Sequence, residues 1–187
     1  MSTMPTLKTE RLILRPFSLD DAKDVQRLAG EKDIAKTTLT IPHPYEDGKA
    51  EEWIGTHQKD FEDGTQVVFA IFEHKENKLI GAIGLSSIKS DFENAELGYW
   101  IGKDYWNKGY GTEAARAVLK YGFEVLALHR IHAHHFGSNL ASGKIMQKLG
   151  MTYEGTMRQH IKKWDKFEDV VCFGILKSEF LNGTDFQ

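Results

Sequence analysis

The stretch from Asn94 to Ala117, NAELGYWIGKDYWNKGYGTEAARA, decides the fold of this chain. Its first part, Asn94 to Ile101, alternates apolar and other residues with a period of two, which predicts a β-strand. Apolar residues recur at helical spacing from Thr112 to Leu128, which predicts a helix. Gly109 and Gly111 lie between these segments, so the stretch predicts a strand, a glycine-containing turn and a helix.

The two glycines suggest that the turn approaches a ligand closely. Glycine lets the backbone come near a bound group, and the first turn of a helix leaves several N–H groups without partners inside the helix. These donors and the positive end of the helix dipole suit a phosphate or pyrophosphate, and Lys108 adds positive charge beside them. The same pattern is compatible with a tight turn that binds nothing.

Two nucleotide-binding motifs contain glycines at spacings like those found in this sequence. Gly109 to Ala114 fits the dinucleotide pattern G-x-G-x-x-G/A, but it lies past the middle of the chain, and the segment near Ile131 has no acidic residue for a ribose hydroxyl. A Walker loop does not fit, because neither Gly102-Lys103 nor Gly143-Lys144 is followed by Ser or Thr. A nicotinamide-dependent oxidoreductase therefore remains only as an alternative.

Several motifs, in the same order along the chain, resemble the acetyl-CoA-binding core of the GNAT N-acetyltransferase superfamily. They are AELGYWI at Ala95–Ile101, WNKGYGTEA at Trp106–Ala114, NLAS at Asn139–Ser142 and KLGM at Lys148–Met151. The flanking segments resemble the branch that includes the ribosomal-protein-alanine N-acetyltransferases, and they are LKTERLILRP at Leu7–Pro16 and Pro44-Tyr45 followed by Glu52–Ile54. The similarity extends from about Leu7 to about Leu176, which is nearly the whole chain.

The bulk composition narrows the class of protein. A chain of 187 residues predicts a single domain, residues 1–187. The net charge of −3 and the pI near 6.2 argue against an extended nucleic-acid surface, and no long apolar run indicates a signal peptide or a membrane segment. The lone Cys172 excludes an internal disulfide and is expected to pack as a small apolar residue. We therefore expect a cytoplasmic protein.

The positions of alternating and helical segments predict a mixed sheet. Strands are expected at Arg11–Phe17, Gln66–Glu73, Leu79–Lys89, Asn94–Ile101, Arg130–Phe136, Met151–Trp164 and Lys166–Phe180. Helices are expected from Ser18 to about Ala29, at Glu46–Phe61, at Thr112–Leu128, and from Ser138 or Asn139 through Lys148. The fold class is α+β. The resemblance implies a central twisted, mostly antiparallel sheet of about seven strands with a splayed parallel pair, flanked by about four helices.

The resemblance also implies how acetyl-CoA binds as the cosubstrate. The strands that hold Glu96 and His132 would splay apart, and the pantetheine arm would enter the V between them. Three residues would pair with the arm through backbone groups: Tyr99, Trp100 and Ile101. Backbone amides of a longer segment would hold the pyrophosphate: Asn107, Lys108, Gly109, Tyr110, Gly111 and Thr112. Asn139 would hydrogen-bond to the arm near its amides.

The implied chemistry is transfer of an acetyl group from a thioester to an amine. An alkyl ammonium has no free lone pair, so a base must remove a proton. Glu96, on the cofactor strand, is the candidate base; the alternative is a carboxylate paired with Lys or Arg for structural reasons. A backbone N–H of the splayed strand is expected to stabilise the oxyanion.

The residue that protonates the leaving thiolate is expected to differ from the one used by many relatives. Many relatives carry a Tyr where this chain has Met146, and Ser142 is the candidate substitute, because ribosomal-protein acetyltransferases can carry a serine at the matching place. The alternative for Ser142 is a helix-capping role. Those enzymes can pair the serine with a glutamate where this chain has Gln159–Lys162. His160 in that segment is either a base or a solvent-facing residue.

Four residues are candidate contacts of the amine acceptor: His43, Tyr45, Trp53 and Asp169. The resemblance places the first three on the acceptor side of the cleft, although aromatic residues there also pack against a sheet. Asp169 lies where relatives carry an aspartate, and it would either anchor the acceptor amine or support the loop beneath it.

His132 and His134 share one face of a predicted strand, but nothing is spaced to complete a tetrahedral site with them, so no metal is expected. The sequence thus predicts an acetyl-CoA-dependent N-acetyltransferase that acts on a primary amine by direct transfer, as a monomer or homodimer. The acceptor is a protein N-terminus, such as that of a ribosomal protein, or a small amine such as a polyamine or an aminoglycoside. The alternative is a non-catalytic acyl-CoA-binding sensor or interaction module on the same fold.

Overall fold

The computed structural model describes residues 3–182. Within that range one sheet contains eight strands: β1 (Leu7–Lys8), β2 (Leu12–Pro16), β3 (Val67–Glu73), β4 (Lys78–Lys89), β5 (Asn94–Ile101), β6 (Arg130–Phe136), β7 (Thr152–Lys163) and β8 (Lys166–Leu176). The same residues form six α-helices: α1 (Ala22–Ala29), α2 (Lys32–Ala35), α3 (Lys49–Glu62), α4 (Tyr110–Glu124), α5 (Leu140–Lys148) and α6 (Lys177–Asn182).

The strand order in the sheet is β1-β2-β3-β4-β5-β6-β8-β7. Neighbouring strands are antiparallel, with the exception of β5 and β6, which are parallel because the crossover through α4 joins them. The predicted mixed, mostly antiparallel sheet is therefore confirmed.

The parallel pair is short, and this opens a gap in the sheet. Only Asn94, Ala95 and Glu96 of β5 are in register with β6, and the last pair joins Glu96 to His132. Beyond this point β5 continues along β4 as far as Ile101, and β6 continues along β8. The two parallel strands thus separate at Glu96, which confirms the predicted splayed pair.

The two faces of the sheet have separate apolar cores. Ala95, Leu97 and Ile101 of β5 belong to a cluster that also contains residues of α4 and α5. A second cluster contains residues of α1 and α3 with Ala70 and Phe72 of β3, and it lies on the opposite face because side chains alternate along β3. Glu96 alternates with Ala95 and Leu97 and therefore faces the α1–α3 side of the sheet.

The predicted bounds of β5 and β6 agree with the structure, and those of several other elements do not. α4 begins at Tyr110 rather than Thr112, and it ends at Glu124 rather than Leu128 because Ala127 adopts a left-handed conformation with φ of 54°. The last predicted strand, Lys166–Phe180, was wrong at its end. It stops at Leu176, whose N–H donates to the Glu179 carboxylate at 2.8 Å, and α6 follows.

Three elements escaped prediction because they are short. β1 has two residues, α2 has four and α6 has six, and none of these lengths allows a periodic pattern to be recognised. The second predicted helix begins at Lys49 rather than Glu46, because the left-handed Gly48, with φ of 82°, precedes its first turn.

Candidate active site

The first turn of α4 has the geometry of an anion-binding loop. Gly109 precedes the helix with φ of 81°, and Asn107 has φ of 59°. Glycine adopts this left-handed conformation without steric cost, and asparagine tolerates it better than most residues. Gly109 has no side chain with which to cap the helix, so the amides of Tyr110, Gly111 and Thr112 have no partner within the helix. They are donors available at the positive end of the helix dipole.

A segment near the start of the chain braces this loop. The Arg11 guanidinium donates from Nε to the Glu113 carboxylate at 2.7 Å and from Nη1 to the Lys108 carbonyl at 2.9 Å. The Thr9 hydroxyl and the Arg11 backbone N–H donate to the other oxygen of Glu113, at 2.6 and 2.9 Å. The Arg11 guanidinium also lies 4.7 Å from the centre of the Tyr110 ring. These contacts join both sides of the turn to β2 and its preceding residues.

The charge of Glu113 is compensated within this brace. Burial would raise the pKa of Glu113, but hydrogen bonds from the Thr9 hydroxyl and from Arg11 outweigh it, and the pKa is lowered. The carboxylate is therefore ionised at neutral pH and paired with Arg11. This pairing reduces the repulsion between Glu113 and an anion bound at the same helix end.

Glu96 lies at the base of the V between β5 and β6, beside two histidines of the facing strand. One carboxylate oxygen is 3.2 Å from Nδ1 of His134, and the other is 4.0 Å from Nε2 of His132. All three side chains are about one-third exposed. The alternative in which Glu96 pairs with Lys or Arg is not what the structure shows, because the titratable side chains within 4.0 Å of its carboxylate are imidazoles.

A second charged pair lies on the same face of the sheet. Arg130 of β6 reaches across β8 and makes two 2.5 Å contacts with the Glu154 carboxylate of β7. Gly174 permits this contact, because a Cβ there would lie 2.5 Å from Arg130 and 2.6 Å from Glu154. Burial, opposed by the nearby Glu96, lowers the pKa of His132. His132 is therefore mainly neutral at pH 7.

Ser142, the candidate acid, is held by Tyr99 on the other face of the sheet. The two hydroxyls are 2.7 Å apart, and the Ser142 backbone N–H donates to the Asn139 side chain at 3.3 Å. The helix cap is thus Asn139, so the alternative capping role does not describe the Ser142 hydroxyl. Burial raises the pKa of Tyr99 to about 12, although the hydrogen bond with Ser142 opposes it. Tyr99 stays protonated and can donate to Ser142.

The cofactor-strand residues differ in what their backbone and side chains contact. The Trp106 indole donates to the Ile101 carbonyl at 2.6 Å, so this carbonyl already has one partner. The Trp100 side chain packs against the apolar cluster of the α1–α3 face. Met146, at the place where many relatives carry a Tyr, is buried in the core of the α4–α5 face.

Two aromatic residues that were candidate acceptor contacts, Trp53 and Tyr45, pack mainly against other side chains of the protein. Trp53 meets Phe17 edge-on at 5.1 Å between ring centres and His57 at 4.5 Å. Tyr45 is partly buried against the same cluster, and burial, with a smaller contribution from Glu51, raises its pKa. These contacts support the alternative that both rings anchor helix and loop to the sheet.

His43 lies where the α2–α3 connection meets the β7–β8 hairpin. Its Nδ1 is 3.0 Å from the Gly30 carbonyl, and its ring centre is 6.5 Å from that of Trp164. Lys163 donates to the carbonyls of Leu39 and Ile41, each at 3.1 Å, and burial lowers the Lys163 pKa. The two segments are therefore joined on the α1–α3 side of the sheet.

Asp169 supports the backbone of its neighbours. Its carboxylate accepts from the Gln159 N–H at 2.8 Å, and its carbonyl accepts from the Gly137 N–H at 2.9 Å. Gln159 has a left-handed φ of 49° and lies in an irregular part of the β7–β8 pairing. These contacts match the supporting role, and His160 beside Gln159 is exposed.

The sequence and fold of this chain are similar to those of known proteins. The family model of the acetyltransferase (GNAT) domain matches residues 11–152. The chain belongs to the GNAT family. Over 177 residues it is 31% identical to p20 of Bacillus licheniformis, known only as an uncharacterized N-acetyltransferase, and the match covers 95% of this chain and 99% of the relative.

Two further comparisons concern GNAT proteins with named substrates. The [ribosomal protein uS5]-alanine N-acetyltransferase of Escherichia coli is 26% identical over 187 residues, which cover 95% of this chain and 93% of the relative. The crystal structure of spermidine N-acetyltransferase from Vibrio cholerae with CoA and spermine has a TM-score of 0.81 and 24% identity, covering 93% and 100% of the two chains. The predicted superfamily and branch are confirmed, and this GNAT protein is an acetyl-CoA-dependent N-acetyltransferase.

Sequence reasoning missed residues whose partners are distant in the chain. The brace of Arg11 and Glu113 joins residues about a hundred positions apart, and both lay inside motifs that were recognised only by resemblance. The role of the Tyr99 hydroxyl was also missed, because its partner Ser142 lies 43 positions away and no local pattern relates the two. The alternation along β6 did place His132 and His134 on one face, but it did not associate them with Glu96.

Two kinds of feature are absent from residues 3–182. No group of three or more His, Cys, Asp and Glu side chains there is arranged to hold a metal ion. Among the same residues, no helix is both long enough and apolar enough to cross a membrane.

Proposed function

We propose that this GNAT protein transfers an acetyl group from acetyl-CoA directly to a primary amine in the V between β5 and β6. The observation that carries the proposal is the separation of the strands at Glu96. The C-terminal end of β5 leads through a short loop to the first turn of α4, so the open end of the V lies beside the free amides. A long ligand with an anionic head and an extended arm fits this arrangement.

The amides from Asn107 to Thr112 hold the pyrophosphate in this proposal, with Lys108 as an added charge. The outward backbone groups of Tyr99 and Trp100 pair with the pantetheine arm as a further strand would. Asn139, at the start of α5, contacts the arm near its amides. The Ile101 carbonyl contributes less than expected from the family, because it already accepts from Trp106.

Acetyl-CoA supplies the activated acetyl group as a thioester. Glu96 accepts a proton from the acceptor ammonium, which frees the nitrogen lone pair for attack. A backbone N–H of the splayed strand stabilises the negative charge that develops on the thioester oxygen. Ser142, which Tyr99 holds at 2.7 Å, gives a proton to the leaving thiolate. No covalent enzyme intermediate is needed.

The acceptor is a protein N-terminus or a small amine. The uS5-alanine acetyltransferase supports the first class through its name, and the spermidine acetyltransferase supports the second through its fold. Contacts of Asp169 with the backbone reduce the support for a direct role in binding the amine. We also propose a cytoplasmic location, which the lone Cys172 fits because thiols remain reduced there.

The test is CoA release from acetyl-CoA with a panel of N-terminal peptides, polyamines and aminoglycosides. We expect at least one amine to be acetylated, and Glu96→Gln to lower kcat about 100-fold or more without weakening CoA binding. Glu124→Gln, at the distant end of α4, is the matched control. CoA binding without acetylation of any amine, and no effect of Glu96→Gln, would favour the non-catalytic acyl-CoA sensor instead.

A further inference from the structure

The base of the V contains a cluster of one carboxylate and two imidazoles. His134 Nδ1 is 3.2 Å from Glu96, and His132 Nε2 is 4.0 Å from it. Both histidines come from β6, the strand that diverges from β5, so they lie on the side of the V opposite the cofactor strand. The cluster is therefore adjacent to the place where the proposed acetyl transfer occurs.

Each member of the cluster has access to water. The side chain of Glu96 is 30% exposed, that of His134 33% and that of His132 35%. The other charged groups that act on His132 are Arg130 and Glu154, which form their own ion pair. Cys172 of β8 lies opposite His134, and Ser86 of β4 lies opposite Glu96. The cluster is thus partly desolvated and partly in contact with water.

The ordinary pKa of a lone carboxylate is far below that of the alkyl ammonium whose proton it must accept. An ordinary glutamate has a pKa near 4.3, whereas an alkyl ammonium has one near 10, and a proton left on the carboxylate must be removed before the next turnover. An imidazole, with an ordinary pKa near 6.5, is closer to the pH at which the enzyme works. General bases act most efficiently when their pKa lies near the operating pH.

We propose that His134 and His132 take the acceptor's proton from Glu96 and release it to solvent, so that the base of this enzyme is a carboxylate–imidazole relay. This inference rests on the proposed acetyl transfer. One ammonium proton passes to Glu96 and then to Nδ1 of His134, which is 3.2 Å away; Nε2 of His132, at 4.0 Å, is too far for direct transfer and receives a proton through water. The amine nitrogen forms a bond to the acetyl carbon while the bond from that carbon to sulfur breaks. The second proton lost from nitrogen restores the Ser142 hydroxyl, which has given its own proton to the thiolate, and the third remains in the amide product.

The protonation state of His132 leaves it able to accept a proton. Burial lowers its pKa, although Glu96 opposes this effect, so the imidazole near the carboxylate is neutral at pH 7. The approach of the substrate ammonium adds a positive charge, which favours passing the proton outward along the exposed side. His135, the third histidine of β6, takes no part, because it is buried on the other face and contacts the Phe136 carbonyl at 2.7 Å.

The test uses variants that keep a polar atom near Glu96 but cannot carry a proton. His134→Asn replaces Nδ1, and His132→Gln replaces Nε2, since each amide reaches about as far as the nitrogen it replaces. His129→Asn, at an exposed residue just before β6, is the matched control. The rates of the wild type and of each variant are measured from pH 5 to pH 9 with an amine that the wild type acetylates. The wild-type rate is then divided by the variant rate at each pH. This ratio cancels the ionisation of the acceptor itself.

If the histidines carry the proton, the ratio for His134→Asn rises from near one at pH 5, where imidazoles are already protonated, to about tenfold or more above pH 7. The KM for acetyl-CoA stays unchanged, and His129→Asn gives a ratio of one throughout. A ratio that is constant with pH, whether one or higher, overturns the relay, because a residue that only orients Glu96 acts equally at every pH. A wild type that acetylates no amine overturns the proposed function instead.

A second measurement decides the question if a variant does not fold. Imidazole resonances of His132 are titrated by NMR in the wild type and in Glu96→Gln. Because the Glu96 carboxylate raises the His132 pKa against the effect of burial, its removal should lower that pKa further. The His134 resonances are followed in the same experiment, and identical titrations of both imidazoles in the two proteins would show that neither shares a proton equilibrium with the carboxylate, so the relay would be wrong.

Discussion

Removing the Arg11 side chain should weaken CoA binding, although Arg11 is not expected to touch the acetyl group. In Arg11→Ala the loop before α4 loses the 2.7 Å bond to Glu113 and the 2.9 Å bond to the Lys108 carbonyl. Thr9 and the backbone N–H of residue 11 still donate to Glu113, so this carboxylate keeps two hydrogen bonds. The fold should therefore survive while the loop becomes less ordered.

The size of this effect follows from the two lost bonds. A hydrogen bond to a charged group contributes about 1.5–3 kcal/mol and one to a carbonyl about 1 kcal/mol. The Arg11 side chain is 41% exposed, so solvent screening reduces both, and we take a total of about 2 kcal/mol. If this energy holds the loop in its binding conformation, the affinity for CoA falls about 30-fold.

Isothermal titration with CoA measures this directly, and Arg11→Lys adds a second comparison because it keeps the charge but loses the planar fork. Arg11→Lys should weaken binding nearly as much as Arg11→Ala. Arg27→Ala, which removes an exposed pair with Asp24 on α1, is the control and should leave binding unchanged. If Arg11→Ala lowers the melting temperature but binds CoA as the wild type does, the brace stabilises the fold and does not organise the loop.

Three further predictions concern other parts of the molecule. His57 has no hydrogen-bond partner for either ring nitrogen among the described residues, and burial lowers its pKa to about 4. The unfolded chain therefore binds a proton that the folded chain resists, and between pH 7 and pH 5 the wild type should lose about 2 kcal/mol more unfolding free energy than His57→Leu, measured in urea; equal losses would contradict this. Tyr99→Phe should lower kcat by about tenfold with little change in the CoA KM, because Ser142 loses its hydroxyl partner, and an unchanged kcat in steady-state assays would remove Ser142 from the acid role. Gly109→Ala should weaken CoA binding by about tenfold in titration, since its φ of 81° costs about 1–2 kcal/mol with a side chain and the new Cβ meets Arg11 at 3.3 Å; wild-type affinity would contradict a role for this turn.

Local patterns predicted the parts of the fold that depend on local physics. The alternation of Asn94–Ile101 fixed β5 to the residue, because one face of that strand is buried under α4 and the pattern has a single interpretation. Gly109 marked the turn before α4 for a similar reason, since a left-handed conformation there favours glycine. The missed end of β8 shows the limit, because the apolar pattern of Lys166–Leu176 continues into α6 and the local contact of Glu179 ends the strand.

The site was predicted less completely than the fold, because its contacts join distant segments. Glu96 and the amides of the α4 turn were found by motif, but the partners that set their properties are on other strands. No periodicity relates Arg11 to Glu113 or Glu96 to His134, and these pairs form only after the sheet order is established. Asp169 illustrates the converse, since its position in the family pattern suggested a substrate contact and its bonds are to backbone.

The central claim is that the gap at Glu96 and the first turn of α4 together bind acetyl-CoA. A crystal structure of the protein with CoA tests it most directly. We expect the pyrophosphate within hydrogen-bond distance of the amides between Asn107 and Thr112, and the thiol of the arm between β5 and β6 near Glu96. A CoA molecule bound elsewhere on the surface, with the gap between β5 and β6 left empty from Glu96 to Ile101, would contradict the account.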